Sequence, residues 1–275
     1  MAEVVASRQA VRAAARRRRG RRGAAISALS TIVVIGGLVA LVVTSPGWES
    51  VKQLFFSWED FKLAFPDVLK GFWLDVKMFV IVEAVVLVLG LVVALVRTST
   101  AATLFPLRML AVVFTDVLRG VPTILLVFLV GFGVPALQLS GVPTDPVVLG
   151  CVALALSYSA YVAEVYRAGI RSVHPSQRAA ALALGLTGSQ ALRHVILPQA
   201  VRRVVPPLLN DFIALQKDVA LVSILGPLEA FRQAQIYASS NFNYTPLIAA
   251  AALYLMVTIP LARVLDRMER RRAAR

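Results

Sequence analysis

The sequence predicts an all-α fold, a polytopic membrane helix bundle of six transmembrane helices, and three observations carry that prediction. Hydrophobic residues make up 58% of the 275-residue chain, charged residues only 16%, and the mean hydropathy is +0.75, too apolar for a water-soluble domain of this length. Apolar runs of about 20 residues, the length that crosses a hydrocarbon core of about 30 Å, recur along it. The net charge of +14 comes largely from arginines that flank those runs, where they act as topology signals rather than as a nucleic-acid footprint.

Residues 1–23 form an arginine-rich cytoplasmic segment with Arg8, Arg12, Arg16 to Arg19, Arg21 and Arg22, and 24–45 an additional span built on the uncharged run Ala24 to Val43. That run exceeds the apolar region of a cleavable signal, about 7–15 residues, so it is read as an uncleaved helix with its N-terminus in the cytoplasm. Thr44 to Asp75 mixes Trp48, Phe55, Phe56, Trp58, Phe61 and Phe65 with Glu49, Glu59, Asp60 and Asp67, as an interfacial segment with aromatic anchors does. Its residues 46–70 are assigned as an extracytoplasmic connector.

A second span follows at about Phe72 to Val96, its polarity broken by Lys77 near the outer end and Glu83 deeper in, and Arg97 and Arg108 mark a cytoplasmic turn. The third covers about Leu110 to Phe132, a Gly/Pro-rich outer loop ends near Pro146, and Val147 to Val165 is the fourth. Val204 to Leu225 makes a fifth and Pro246 to Ala262 a sixth, with Glu229, Arg232 and Gln235 in the outer segment between them. Residues 71–264 are thus the core, and 265–275 a basic cytoplasmic tail.

Between the fourth and fifth spans lie two short helices. The first starts at Pro175 and Ser176, runs to Leu184 and stops at Gly185, a residue suited to the position after a C-cap. It is far too short to cross a bilayer. The second has a capping-box spacing, Thr187 with Gln190 three residues on, then Ala191 to Leu197, closed by Pro198. Small side chains on the first helix, flanked by Arg171, Arg178, Arg193 and His194, read as a cytoplasmic docking knob.

From about Gly71 to Arg263 the residues resemble a family, the permease subunits of type I ATP-binding-cassette importers that handle polar amino acids (the histidine/glutamine/glutamate permease branch). The family's loop reads Gly-Gln-x-Glu-Ala-Ala-x-x-Leu-Gly, then Leu-Pro-Gln-Ala; here Ser176 to Gly185 read Ser-Gln-Arg-Ala-Ala-Ala-Leu-Ala-Leu-Gly, and Leu197 to Ala200 read Leu-Pro-Gln-Ala. Ser176 stands for the family glycine and Ala179 for its glutamate, the residue that would form a salt bridge with the ATPase subunit. Arg119-Gly120-Val121-Pro122, Tyr161 to Glu164 with Arg167 to Ile170, and Lys217 to Leu221 resemble further family motifs.

The resemblance implies a five-helix core plus the added N-terminal helix, with both termini in the cytoplasm of a bacterial plasma membrane. It implies a second permease subunit, identical or related, two cytoplasmic ATPase subunits that bind ATP and magnesium, and an extracytoplasmic solute-binding protein. ATPase coupling falls to Gln177, Ala179, Ala180, Ala181, Leu184, Gly185, Leu197 and Pro198. The expected cargo is a polar amino acid of the glutamate, glutamine or aspartate type.

No Gly-x-x-x-x-Gly-Lys-Ser/Thr phosphate loop occurs, so neither catalysis nor a cofactor is expected in this chain. Gly131 to Ala136 lacks the strand-helix context of a dinucleotide site, His174 and His194 lack partners in metal spacing, and the single cysteine, Cys151, can close no internal disulfide. Ionisable groups at membrane depth face a cavity or a partner because an unpaired buried charge costs several kcal/mol. Glu83, Arg119, Glu164, Lys217 and Asp218 are accordingly assigned to the substrate path, with Asp211 a further candidate at membrane depth; structural ion pairs between helices are the bland alternative for each, and the one that suits Glu164 and Arg167 near the cytoplasmic end of the fourth span. Arg119 sits at the inner boundary if the span is Val121 to Leu139, or well inside it if the helix begins near Leu110; either way it suits a carboxylate-bearing solute. The alternative is a gradient-driven secondary transporter or ion channel with Glu83, Lys217 and Asp218 as coupling groups, and a third is a non-transporting scaffold; dependence of uptake on ATP separates them.

Overall fold

The computed structural model describes residues 26–99 and 101–273, with side chains to 270, and the arginine tract lies outside them. The chain divides into two units, 1–56 and 57–275. In the first, α1 (Ile26–Val43) is a helix long and apolar enough to cross a membrane and α2 (Trp48–Phe55) is a short helix.

The second unit is built on α3 (Trp58–Thr98), a helix of 41 residues and thus about 60 Å long. It absorbs part of the segment expected to be a connector. Ser57 Oγ accepts from the Asp60 amide, and Glu59 and Asp60 place negative charge on the first turn, so the helix nucleates at Trp58 rather than at Phe72. Trp58, Phe61 and Phe65 stack along that turn with centroids 5.2 and 4.8 Å apart. Tyr237 and Asn243 donate to Asp60 at 2.8 and 2.9 Å, tying the helix start to a distant part of the chain.

Met78, Val82, Val86, Gly90 and Ala94 form one i, i+4 ridge of α3, all of it buried. It packs on α6 (Pro146–Arg171), which contributes Ala153, Leu154, Tyr158 and Val162 to the core. Ala155, Ser157, Ser159, Ala160, Ala163 and Gly169 keep α6 slim, which lets its neighbours approach closely and makes it the central helix. Val80, Ile81, Val88 and Val92 on the other faces of α3 remain exposed, as side chains against hydrocarbon do.

The third expected span is broken. α4 (Phe105–Gly120) and α5 (Thr123–Ala136) meet at a 108° bend across Val121 and Pro122, because the proline ring forces its predecessor into an extended conformation. The two short helices expected between the fourth and fifth spans follow α6 as α7 (Pro175–Ala183) and α8 (Gly188–Ala191). Pro198 does not close the second helix: a π-helical turn, Leu192–Ile196, runs directly into α9 (Leu197–Asp218), where the proline occupies the first turn and needs no amide partner.

The fifth expected span, Val204 to Leu225, is not one straight helix. α9 ends at Asp218, the tighter 3₁₀ helix Val219–Leu225 follows, and Gly226 at φ +106° turns the chain away. α10 (Ala230–Asn241) then packs on α3 and α11 (Thr245–Ala273) through Val68, Ala230, Ala234, Ala250 and Leu253. Among the described residues four helices are long and apolar enough to cross a membrane, or five if the bent pair is one span. α9 falls outside that set because Arg202, Arg203, Asp211, Lys217 and Asp218 interrupt its apolar face.

Candidate functional site

Two of the predicted path residues, Arg119 and Glu164, come together near the ends of α4 and α6. A cavity of about 390 Å³ opens between α4, α6 and α9, lined among others by Arg119, Tyr161, Glu164, Arg203, Pro207 and Asp211. Arg119 lies in the last turn of α4 at the bend and lines the cavity, its guanidinium 5.7 Å from the centroid of the Tyr161 ring. The Tyr161 hydroxyl donates to the Arg119 carbonyl at 3.2 Å, holding the frayed end of α4 against α6. Pro206 and Pro207 deprive the Arg202 and Arg203 carbonyls of their helical amide partners beside the same cavity.

Glu164 is occupied. It accepts from Arg97 at 2.9 Å and from Arg167 one turn along α6, with Arg97 only 12% and Glu164 22% exposed. This three-member network joins α3 to α6, the bland role considered for Glu164 and Arg167. Arg97 entered the sequence reading only as a topology mark; its ion pair depends on the crossing of two helices. Asp211 lies opposite, its Oδ2 buried without a hydrogen-bond partner, and Glu83 on α3 is near enough to interact with it electrostatically.

Lys217 and Asp218 do not pair with each other. Asp218 accepts from the Tyr158 hydroxyl at 2.8 Å across α6 and α9, whereas the adjacent Lys217 points outward and is exposed, as the ~100° step of a helix dictates. Both lie at the far end of α9 from Arg203, away from the cavity.

The α7–α8 hairpin is held in shape by local chemistry. His174 Nδ1 accepts from the Ser176 amide at the start of α7. At the other end the Leu186 amide reaches the Ala181 carbonyl at 3.1 Å and the Gly185 amide reaches Leu182 at 3.0 Å, with Gly185 at φ +84°, a Schellman closure. Thr187 and Gln190 form the reciprocal capping box that their spacing predicts. Gln177, Ala179, Ala180, Leu184, Gly185, Leu197 and Pro198 are exposed, Leu184 at 84%, while Ala181 turns inward and packs the hairpin.

Sequence reasoning missed a buried acid cluster. Asp75 on α3 is 2% exposed and Glu229, which begins α10, is fully buried. Glu229 accepts from the Phe231 and Arg232 amides at 2.7 and 2.6 Å, and burial pushes its carboxyl up from the ordinary range. Asp75 accepts from the Ala230 amide at 3.3 Å and from the Tyr254 hydroxyl at 2.7 Å. The one local signal was a carboxylate ahead of Ala230, a side chain able to cap a helix.

Residues 95–274 match the family model described as binding-protein-dependent transport system inner membrane component. The arginine transport system permease protein ArtQ of Bacillus subtilis (strain 168) is 34% identical over 207 residues, 75% of this chain and 92% of the relative. The glutamine transport system permease protein GlnP of Escherichia coli (strain K12) is 34% identical over 217 residues, 78% and 97% of the two chains. A crystal structure of an amino acid ABC transporter with histidines superposes with a TM-score of 0.70 at 33% identity, covering 78% of this chain and 98% of that one. An inward-facing MetNI methionine ABC transporter shares the fold, with a TM-score of 0.56 at 18% identity over 74% and 94%.

Proposed function

The chain belongs to the family of binding-protein-dependent transport system inner membrane components, and from that premise we propose that it is the permease subunit of an ATP-driven importer of a polar amino acid. The observation that carries the reading is the α7–α8 hairpin, a capped, internally packed knob that presents Leu184, Ala179 and Ala180 and joins α6 directly to α9. A motor protein gripping that knob moves both helices that wall the cavity, so nucleotide-driven closure changes access to it. The chain then acts by transport alone, and ATP hydrolysis resides in two cytoplasmic subunits. A second permease copy or relative and an extracytoplasmic binding protein complete the assembly in a bacterial plasma membrane.

In this reading α9 with its 3₁₀ extension is the remaining crossing of a six-helix topology, with Asp218 held by Tyr158 of α6 and Asp211 turned to the cavity. Residues 71–264 are the transport core. The cargo is of the glutamine, glutamate or aspartate type, its carboxylate directed to Arg119. Coreconstitution in liposomes with the ATPase subunits and the binding protein tests this: radiolabelled amino acid accumulates only with ATP. Leu184→Asp, at a position that packs against nothing in this chain, abolishes uptake while leaving insertion and folding intact. Uptake driven by an ion gradient without ATP, or unchanged uptake by that variant, overturns the proposal.

A further inference from the structure

The cavity between α4, α6 and α9 holds more charge than its ion pairs consume, and the remainder has a pattern. Glu164 is taken up by Arg97 and Arg167, and the Arg203 guanidinium donates to the Ser172 carbonyl. Two lining groups are left. Arg119 forms no ion pair among the described residues; the Tyr161 ring beside it supplies a flat face but accepts none of its planar fork of donors. Asp211 keeps a buried Oδ2 with no donor, and Glu83, which interacts with it electrostatically, adds negative charge rather than cancelling it. A buried carboxylate oxygen without a donor forfeits its hydration with no return, a cost that a cationic ligand group reverses.

Resting on the transport reading above, we infer that this cavity is a two-ended site for a zwitterionic amino acid, with the solute's carboxylate on Arg119 and its ammonium group on Asp211. Its volume of about 390 Å³ lies in the range of about 300–1,000 Å³ that small-molecule pockets occupy. The end groups differ in what they reject. Arg119 selects against solutes that lack the carboxylate, and Asp211 against solutes whose nitrogen is acylated and neutral. The wall between them, Val165, Ala168 and Gly169 on α6 with Pro207 on α9, offers no charged side chain, so an uncharged amide side chain is accommodated there.

The test measures binding to the full detergent-solubilised chain, alone and in complex with its ATPase subunits but without the binding protein. Radiolabelled L-glutamine competes against N-acetyl-L-glutamine, which lacks the ammonium, and 4-aminobutanamide, which lacks the carboxylate; L-glutamate, L-aspartate and L-arginine are run with the corresponding analogues. The wild type prefers the intact amino acid by about tenfold or more over each analogue, the effect of one charge-assisted hydrogen bond. Asp211→Asn loses the preference over the acetylated analogue only, Arg119→Gln loses the preference over the decarboxylated one only, and Arg119→Lys restores part of it. Because the readout is a ratio within each variant, a lower yield of folded protein does not imitate the result. Equal binding of all analogues by the wild type, variants that keep both preferences, or no amino-acid binding by either preparation overturns the inference. If those results coincide with ATP-dependent uptake in liposomes, the transport reading survives; absence of that uptake removes both.

Discussion

Replacing Gly71 by alanine tests how tightly α10 is keyed to α3. A Cβ built at Gly71 lies 2.5 Å from the Glu229 carbonyl carbon, 2.6 Å from the Ala230 nitrogen and 2.8 Å from the Glu229 oxygen. Carbon contacts are comfortable at about 3.5–4.0 Å, so the first turn of α10 must retreat by about 1 Å. Those atoms are backbone, and no rotamer change relieves the clash. Overpacking of this kind costs about 1–3 kcal/mol. The same retreat lengthens the Ala230 amide contact to Asp75, already 3.3 Å, beyond hydrogen-bond range and strips a donor from a buried carboxyl, adding about 1–3 kcal/mol. Subtracting the roughly 0.5–1 kcal/mol that alanine gains over glycine in a helix leaves a net loss of about 1–5 kcal/mol. Gly133→Ala is the control, because nothing lies within 4 Å of its added methyl and only the helix gain remains. Unfolding in detergent, by heat or by titration with sodium dodecyl sulfate, compares the two. Equal stability of both variants and the wild type would refute the close approach of α10 to α3.

Glu164→Gln removes the acceptor shared by Arg97 and Arg167 and leaves two guanidinium groups facing each other; about 1–3 kcal/mol of stability is lost, reduced for partial exposure, and high salt narrows the gap to the wild type. Tyr158→Phe deletes the hydroxyl that Asp218 accepts from at 2.8 Å, and thermal unfolding shows a loss of about 1.5–3 kcal/mol that Lys217→Met, at an exposed position, does not reproduce. Thr187→Ala opens the capping box and costs the hairpin about 1 kcal/mol; amide exchange rises in residues 187–191 while α6 stays protected, and uniform exchange would contradict a locally held hairpin.

What was legible in the sequence is local. Ala24 to Val43, Val147 to Val165 and Pro246 to Ala262 lie within or almost within observed helices because uninterrupted apolar runs encode a helix in each residue's own solvation. Gly185 and Thr187 with Gln190 were readable for the same reason: a cap and a left-handed turn act within about four residues. Expectations failed where a local sign met a longer-range structure. Pro198 reads as a terminator until a π-helical turn ahead of it makes its missing amide harmless, and Phe72 reads as a helix start until Ser57 caps the same helix earlier.

The charges follow the same division. That Glu83, Arg119, Glu164, Asp211, Lys217 and Asp218 lie in or beside apolar helices is written in the chain, and so is the cost of leaving them alone. Which of them are satisfied was decided by packing: Glu164 by Arg97 from another helix, Asp218 by Tyr158, Asp75 by Tyr254 and by the amide following Glu229, whereas Arg119 and Asp211 face a shared cavity. Sequence alone determined where the long apolar helices lie, the caps of the short hairpin and the chemical inventory, since propensity and hydration act residue by residue. Only the tertiary structure assigned partners, because partners separated by 60 to 179 positions meet through the close crossing of α3, α6, α9 and α11 that small residues permit.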